Sequence, residues 1–292
     1  MARYNSIHRQ QLFHWAGSHI DERAGNKPLS DALRLEYVNC LREELKNGLW
    51  VKTPLYPDYL GRGDLIKVHR PITCFTEWTL GQSLPHTSRY GRLGFGFPKQ
   101  FVLARGGQPV TYVRDAKRND PYTVALLAIA EMFQNSGFFT GKLDKKLKSL
   151  PGYFDYIAHF YKRIKKPVEQ TLIQTKKKSL RQSKKPLPVA QSERKKDPYA
   201  RSFGKTLHYL EEREWRIVYD FSLEKFFKPG PGGLGRPDYY LPFRAGRDLF
   251  TVVVPDNNTL SLALQDGMIR RYLLPTNAPH VTVLSIKDIG TF

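Results

Sequence analysis

The sequence predicts an α+β fold. Short apolar segments of strand character recur from one end of the chain to the other, segments with helical periodicity lie among them, and no internal repeat organises either kind. The first strand-like segment is 12–18, LFHWAGS, an apolar run carrying one histidine. A helix follows over 28–49. Ser30 or Asp31 can cap it, Leu33, Val38, Leu41 and Leu45 form its apolar stripe, and Gly48 suits its C-terminal stop. The segment 68–76, VHRPITCFT, reads as a short buried strand entered through Pro71, and 89–97, RYGRLGFGF, is strand-like and runs on to 101–103 and 110–113. Residues 121–138 form a strongly apolar helix suited to the core. Towards the C-terminus, 216–221, 249–254 and 281–286 are strand-like, with an amphipathic helix over 258–273.

The 292 residues are 40% hydrophobic and 13% aromatic, enough to build a substantial core and too rich in Phe, Tyr and Trp for a disordered chain. A single domain over 1–292 is expected. The opening MARYNSIHRQQLFHW has no apolar core of a signal peptide, and no charge-free stretch is long enough to span a bilayer, which predicts a cytoplasmic protein with no membrane partner. In a reducing compartment Cys40 and Cys74 are expected as free thiols.

The formal net charge of +20 points to a polyanionic partner, nucleic acid first. The charge is concentrated. A basic insertion at about 162–206 holds 15 Lys and Arg against Glu169, Glu193 and Asp197. Within it, 175–200 reads as a mobile loop. Lys176, Lys177, Lys178, Arg181, Lys184, Lys185, Arg194, Lys195 and Lys196 stand among Ser, Gln and Pro with few apolar residues to fold around, and are candidates to contact phosphates. A solvated linker is the other reading. Just ahead lie Tyr153, Phe154, Tyr156, Phe160 and Tyr161, which can stack on exposed bases or form the buried face of a helix. RNA or single-stranded DNA is the preferred target, since a base must be unstacked to be modified.

Several chemistries lack their signatures. There is no HExxH, no paired CxxC and no acidic calcium loop, so no metal is expected, and no GxSxG elbow or phosphate-binding P-loop occurs. The glycine-rich pieces at 94–96, 105–107 and 229–235 read as turns. Cys74 reads as a small residue in a buried strand before it reads as a nucleophile. The spacings Arg9 to His14 and Arg201 to His208 are those of helical metal-independent ribonucleases, a third reading that requires a helical bundle.

Four segments combine distinctive residues with strand context: 12–18 with 45–50 after the helix; 72–77, ITCFTE; 89–97 continuing to 113; and 211–218, EEREWRIV. Together and in this order they resemble the AbiGi-type abortive-infection (phage-resistance) proteins. The likeness covers nearly the whole chain and is weakest through the basic insertion. That family is in turn similar in layout to the ADP-ribosyltransferase fold, including the DarT group that modifies DNA. The resemblance implies a split mixed β-sheet core with flanking helices, NAD as substrate, a toxin of a phage-defence or toxin-antitoxin system, and an antitoxin partner. His14 then matches a histidine of the first strand, Gly48-Leu49 the helix end, and Glu214 the catalytic glutamate of a late strand.

The chemistry suits such a set. Cleavage of the nicotinamide–ribose bond passes through a cation-like state that one fixed carboxylate stabilises. A histidine can orient a ribose, Tyr90 can stack on nicotinamide, and Arg92 can pair with the pyrophosphate. Thr76 completes the expected cofactor-binding set with His14, Tyr90 and Arg92. Structural readings stand beside each: a core histidine at 14, a helix cap at Glu77, an ion pair of Glu214 with Arg216, and packing roles for Tyr90 and Arg92. Glu77, Glu211 and Glu212 are fallback carboxylates, because a register shift of one turns a side chain to the other face. Since some members of the resembling family are labelled antitoxin-like, a non-enzymatic antitoxin or nucleic-acid-binding regulator is the alternative function.

Overall fold

Seven strands form the central mixed sheet. From edge to edge they are β14 (Thr282–Ser285), β13 (Thr251–Val254), β6 (Leu93–Pro98), β1 (Gln11–Ala16), β5 (Ile72–Thr76), β10 (Glu214–Val218) and β7 (Gln108–Pro109). The computed structural model describes residues 11–24, 28–53, 59–60, 66–67, 70–77, 87, 90–114, 128, 160–164, 213–233, 235–276 and 279–289. The basic insertion beyond residue 164, nearly all of the 121–138 helix, Glu211, Glu212, Arg9, His69, Arg201, His208 and the aromatics 153–156 lie outside them.

The β13–β14 pair is parallel, and every other pairing in this sheet is antiparallel. Two helices make the crossover between β13 and β14: α4 (Asn257–Gln265) and α5 (Gly267–Leu273). A continuous helix over 258–273 was the expectation. Asp266 interrupts it: this residue is extended at ψ 115°, and its side chain accepts from the backbone N–H groups of Met268 and Ile269 to start α5. The strand expected to run on to 101–103 is also corrected, because Lys99–Leu103 is a helix, α3, entered through Pro98. Its Phe101 turns back to stack on Phe97 with ring centroids 4.6 Å apart.

The long helix α2 (Asp31–Asn47) follows its sequence signals. Ser30 caps it, Tyr37, Val38, Leu41 and Leu45 are buried, and it stops at Gly48. Gly48 has φ +109°, and a Cβ there would stand 2.5 Å from the Leu241 carbonyl oxygen, so the stop needs glycine twice over. The chain turns directly into β2 (Leu49–Val51), which pairs with β12 (Tyr239–Leu241) and through it with β11 (Lys228–Pro229) in a second, three-stranded sheet. Tyr239 of β12 stacks on Tyr219 at 3.9 Å, just beyond the end of β10. Helix α1 (Ser18–Ala24) follows β1, and a short helix α6 (Ile286–Ile289) ends the described chain. Two further pairs, β3 (Tyr59–Leu60) with β4 (Ile66–Lys67) and β8 (Thr111–Arg114) with β9 (Tyr161–Ile164), stand apart from the main sheet.

The architecture is therefore α+β around an open mixed sheet. Successive side chains on a strand alternate between its faces. Leu12, Phe75, Phe95, Phe97, Ile217, Val252 and Val254 project from one face into the principal core with Tyr37, Leu41 and Leu45 of α2. Phe13, Trp15 and Val253 project from the other face and form a smaller cluster with Ile289 of α6. Among the described residues no helix is long and apolar enough to cross a membrane.

Candidate active site

Register decides which predicted site residues meet. Phe13 of β1 pairs with Thr76 of β5, and Thr76 pairs with Glu214 of β10. Direct antiparallel partners share a face, so Phe13, Thr76 and Glu214 form one row across three strands, spanning about 10 Å at roughly 4.8 Å per strand. The next row on that face holds Trp15, Cys74 and Arg216, since Cys74 pairs with Arg216. Tyr90 packs against the Phe13–Trp15 cluster. Glu214, Thr76 and Tyr90 thus gather on one side of the sheet.

Two glycines make room for the aromatic half of this face. Gly96 pairs with Phe13 and Gly94 with Trp15. A Cβ at Gly96 would stand 2.9 Å from the Phe13 ring, and one at Gly94 would stand 2.6 Å from the Trp15 ring. The two rings lie over the bare backbone of β6 and stack on each other at 5.9 Å. The polar half is built by β10, every residue of which is buried. Arg216 Nε donates to Glu214 Oε1 at 2.7 Å, both side chains more than nine-tenths buried. The guanidinium offsets the cost of burying the carboxylate and orients it. Immediately before Glu214, Arg213 holds φ +41°, an uncommon conformation for a residue with a side chain, while its carbonyl accepts from the Glu77 N–H.

His14 lies on the opposite face from Glu214. It is the direct partner of Phe95, and its ring is 5.8 Å from that of Phe75. Its Nδ1 is 2.9 Å from the Cys74 carbonyl oxygen and 3.4 Å from Thr73 Oγ1. A carbonyl oxygen only accepts, so Nδ1–H is the donor. Burial pulls the imidazole down from 6.5 to about 4, against the smaller raising effect of the Cys74 bond. The expectation that His14 and Glu214 face one cleft does not hold in this register: one residue of offset separates them by the thickness of the sheet.

Arg92 is held elsewhere. Its Nε and Nη2 donate to Asp21 Oδ1 of α1 at 2.9 and 2.6 Å, locking the start of β6 to the helix after β1. Glu77 is bonded by Lys99 Nζ at 2.9 Å and Trp215 Nε1 at 3.1 Å, with Lys99 also 4.4 Å from the Trp215 ring. Burial works to raise its carboxyl, but these two donors outweigh it and hold the group below the ordinary range. Glu77 joins the end of β5 to α3 and β10, while the residues it was expected to cap, from 78 on, lie outside the described residues. Cys40 and Cys74 are free thiols, and burial raises Cys40 far above the ordinary thiol range.

Three groups of this region were not singled out from sequence. Trp15 Nε1 is buried with no hydrogen-bond partner among the described residues, its ring on the Glu214 face. Asp21 has no sequence signal linking it to Arg92, 71 positions away. Glu44, inside α2 and only 2% exposed, reads in sequence as a surface residue of a charged helix. Among the described residues no group of three or more His, Cys, Asp or Glu is arranged to hold a metal. Comparison with protein-family models, with curated proteins and with solved structures finds no match to this chain.

Proposed function

We propose that this chain is an NAD-dependent ADP-ribosyltransferase that modifies nucleic acid, acting as a toxin in phage defence and restrained by an antitoxin. The observation that carries the reading is the buried Glu214–Arg216 pair on a central strand, in register with Thr76 and on the face that Tyr90 packs against. It is one fixed carboxylate on a late strand, as the likeness to the ADP-ribosyltransferase layout requires. Arg216 pairs with and orients Glu214, whose carboxylate stabilises the positive charge that develops on the ribose as the bond to nicotinamide breaks. Nicotinamide leaves neutral with the bonding electron pair. A base nitrogen or oxygen forms the new bond to the ribose carbon and gives its proton to water.

The residues around the pair fit such a substrate. Thr76 stands beside the carboxylate, and the partly buried Tyr90, packed on the Phe13–Trp15 cluster, offers aromatic surface for the nicotinamide ring. The indole N–H of Trp15, which has no partner among the described residues, is a donor for the carboxamide oxygen. In this reading His14 fixes β1 to β5 and Arg92 fixes β6 to α1, and neither touches NAD. The basic residues of the insertion, Lys176 to Lys196, attract the phosphate backbone of the target.

The test is incubation with labelled NAD and separate pools of RNA, single-stranded DNA, duplex DNA and protein. Label entering RNA or single-stranded DNA is expected, and no transfer to any pool overturns the proposal. One observation favours the second reading, a non-enzymatic antitoxin or nucleic-acid-binding regulator: the Glu214 carboxylate is already engaged by Arg216 within the sheet. That reading expects salt-sensitive nucleic-acid binding with no NAD turnover.

A further inference from the structure

A cleft of about 370 Å³ opens where α2 ends, between that helix, the segment after β12 and the end of α5. Its volume lies within the roughly 300–1,000 Å³ of small-ligand sites. Its walls carry four cations, Lys46, Lys228, Arg244 and Arg271, and no carboxylate. All four are exposed. The nearest acidic relation is loose: Arg244 Nε is 3.9 Å from Asp248, with the Arg244 side chain 67% exposed. Arg271 Nε donates to the Gly267 carbonyl at 3.1 Å.

Two aromatic residues complete the lining. Phe243 is anchored in the core against Phe97 at 5.2 Å and Phe95 at 6.5 Å. Tyr272, beside Arg271, is 36% exposed. Four cations from four separate stretches of chain, with no carboxylate among the lining residues, form a local field that attracts anions. An exposed aromatic among them adds a surface for a flat ring. Phe243 belongs to the His14 face of the sheet, so the cleft lies across the sheet from Glu214.

We propose that this cleft binds one nucleotide unit of a single-stranded nucleic acid, its phosphates held by Arg244, Arg271, Lys46 and Lys228 and its base stacked on Tyr272. It is a docking site on the opposite side of the sheet from Glu214. The proposal rests on the reading that nucleic acid is the substrate class, but not on any chemistry at Glu214.

The experiment measures binding of a fluorescent single-stranded RNA oligonucleotide to the full chain, without NAD, between about 0.05 and 0.2 M salt. The Arg244→Gln/Arg271→Gln variant is compared with Arg247→Gln/Arg270→Gln, an equal loss of charge at exposed arginines outside the cleft lining. The cleft variant is expected to lose about tenfold or more in affinity and to reduce the slope of log K against log salt by about 1.4, two contacts at about 0.7 each. Tyr272→Ala is expected to lose about tenfold with the slope unchanged. Equal effects in the two arginine pairs overturn the proposal, because only bulk charge is then felt. Loss of free-mononucleotide binding with oligonucleotide binding intact also overturns it, since the site then takes a small molecule instead of a strand. Glu214→Gln is expected to bind RNA normally, so failure of the transfer chemistry and failure of the cleft are read separately.

Discussion

Glu214 and Arg216 stand two residues apart on one face of β10 and form a buried ion pair, Arg216 Nε donating to Glu214 Oε1 at 2.7 Å. Removing one partner of such a pair leaves an uncompensated buried charge, which costs about 3–5 kcal/mol. Glu214→Ala is therefore expected to lower stability by about that amount. Glu214→Leu combined with Arg216→Met is expected to recover most of the loss, because two apolar side chains replace two charges. Urea unfolding of Glu214→Leu, Arg216→Met and the double checks the coupling. NAD-dependent transfer is expected to be absent from the Glu214→Leu/Arg216→Met protein even where its stability is restored.

The neutral His14 makes stability depend on acid. Its folded value of about 4 lies below the ordinary 6.5, so between these values the unfolded chain binds the proton and the folded chain does not. The contribution is complete above pH 6.5 and is lost as pH falls towards 4. The difference is worth about 3 kcal/mol at 1.36 kcal/mol per pH unit. His14→Gln is expected to flatten the pH dependence of unfolding in this window, measured by urea titrations at pH 7 and pH 4.5. An unchanged slope would show that the imidazole titrates normally.

Glu44 acts in the opposite direction. Burial first, and the neighbouring Glu43 second, push its carboxyl well above the ordinary range, against the bond from the Trp50 backbone N–H. Its Oε2 is buried with no hydrogen-bond partner among the described residues. A folded state that holds this proton loses stability as pH rises above the unfolded carboxyl value of 4.5. Glu44→Gln is expected to raise Tm at pH 8 and to have little effect at pH 4, as read by thermal scans at both.

The glycines under the aromatic pair are expected to be intolerant of a side chain. Gly94→Ala places a methyl group 2.6 Å from the Trp15 ring and must displace it. A loss of about 1–3 kcal/mol is expected from overpacking, with a shift in Trp fluorescence as the indole moves.

Much of the frame is legible in the sequence because its signals are local. Helix α2 carries its own cap at Ser30, its stripe and its glycine stop, and is found where they place it. The strands at 11–16, 72–76, 93–98, 214–218, 251–254 and 282–285 coincide with the apolar runs. The misreadings arise where a local signal has two meanings. Phe101-Val102-Leu103 is apolar enough for a strand, but Phe101 instead turns back onto Phe97. Asp266-Gly267 lies inside a periodic pattern that looks continuous, and only the Asp266 side chain bonding forward reveals the break.

The site was legible in its parts and not in its faces. Glu214, Thr76 and Tyr90 were all within reach of sequence reasoning, as was the Glu214–Arg216 pair. Which face each side chain takes depends on how β1 and β10 register against β5, and that is set by partners about 60 and 140 residues distant in sequence. A single-residue offset places His14 among Phe75 and Phe95 instead of beside Glu214. The grip of Asp21 on Arg92 is likewise a tertiary event with no local trace.

The most direct measurement of the central claim compares transfer of label from NAD to RNA by wild type, Glu214→Gln and His14→Gln, each normalised to its folded fraction. The Glu214 face is expected to hold the chemistry, so Glu214→Gln should lose at least about a thousandfold, or roughly 4 kcal/mol of transition-state stabilisation, while His14→Gln stays within a few-fold of wild type. Full transfer by folded Glu214→Gln, or its loss in folded His14→Gln alone, would contradict the account.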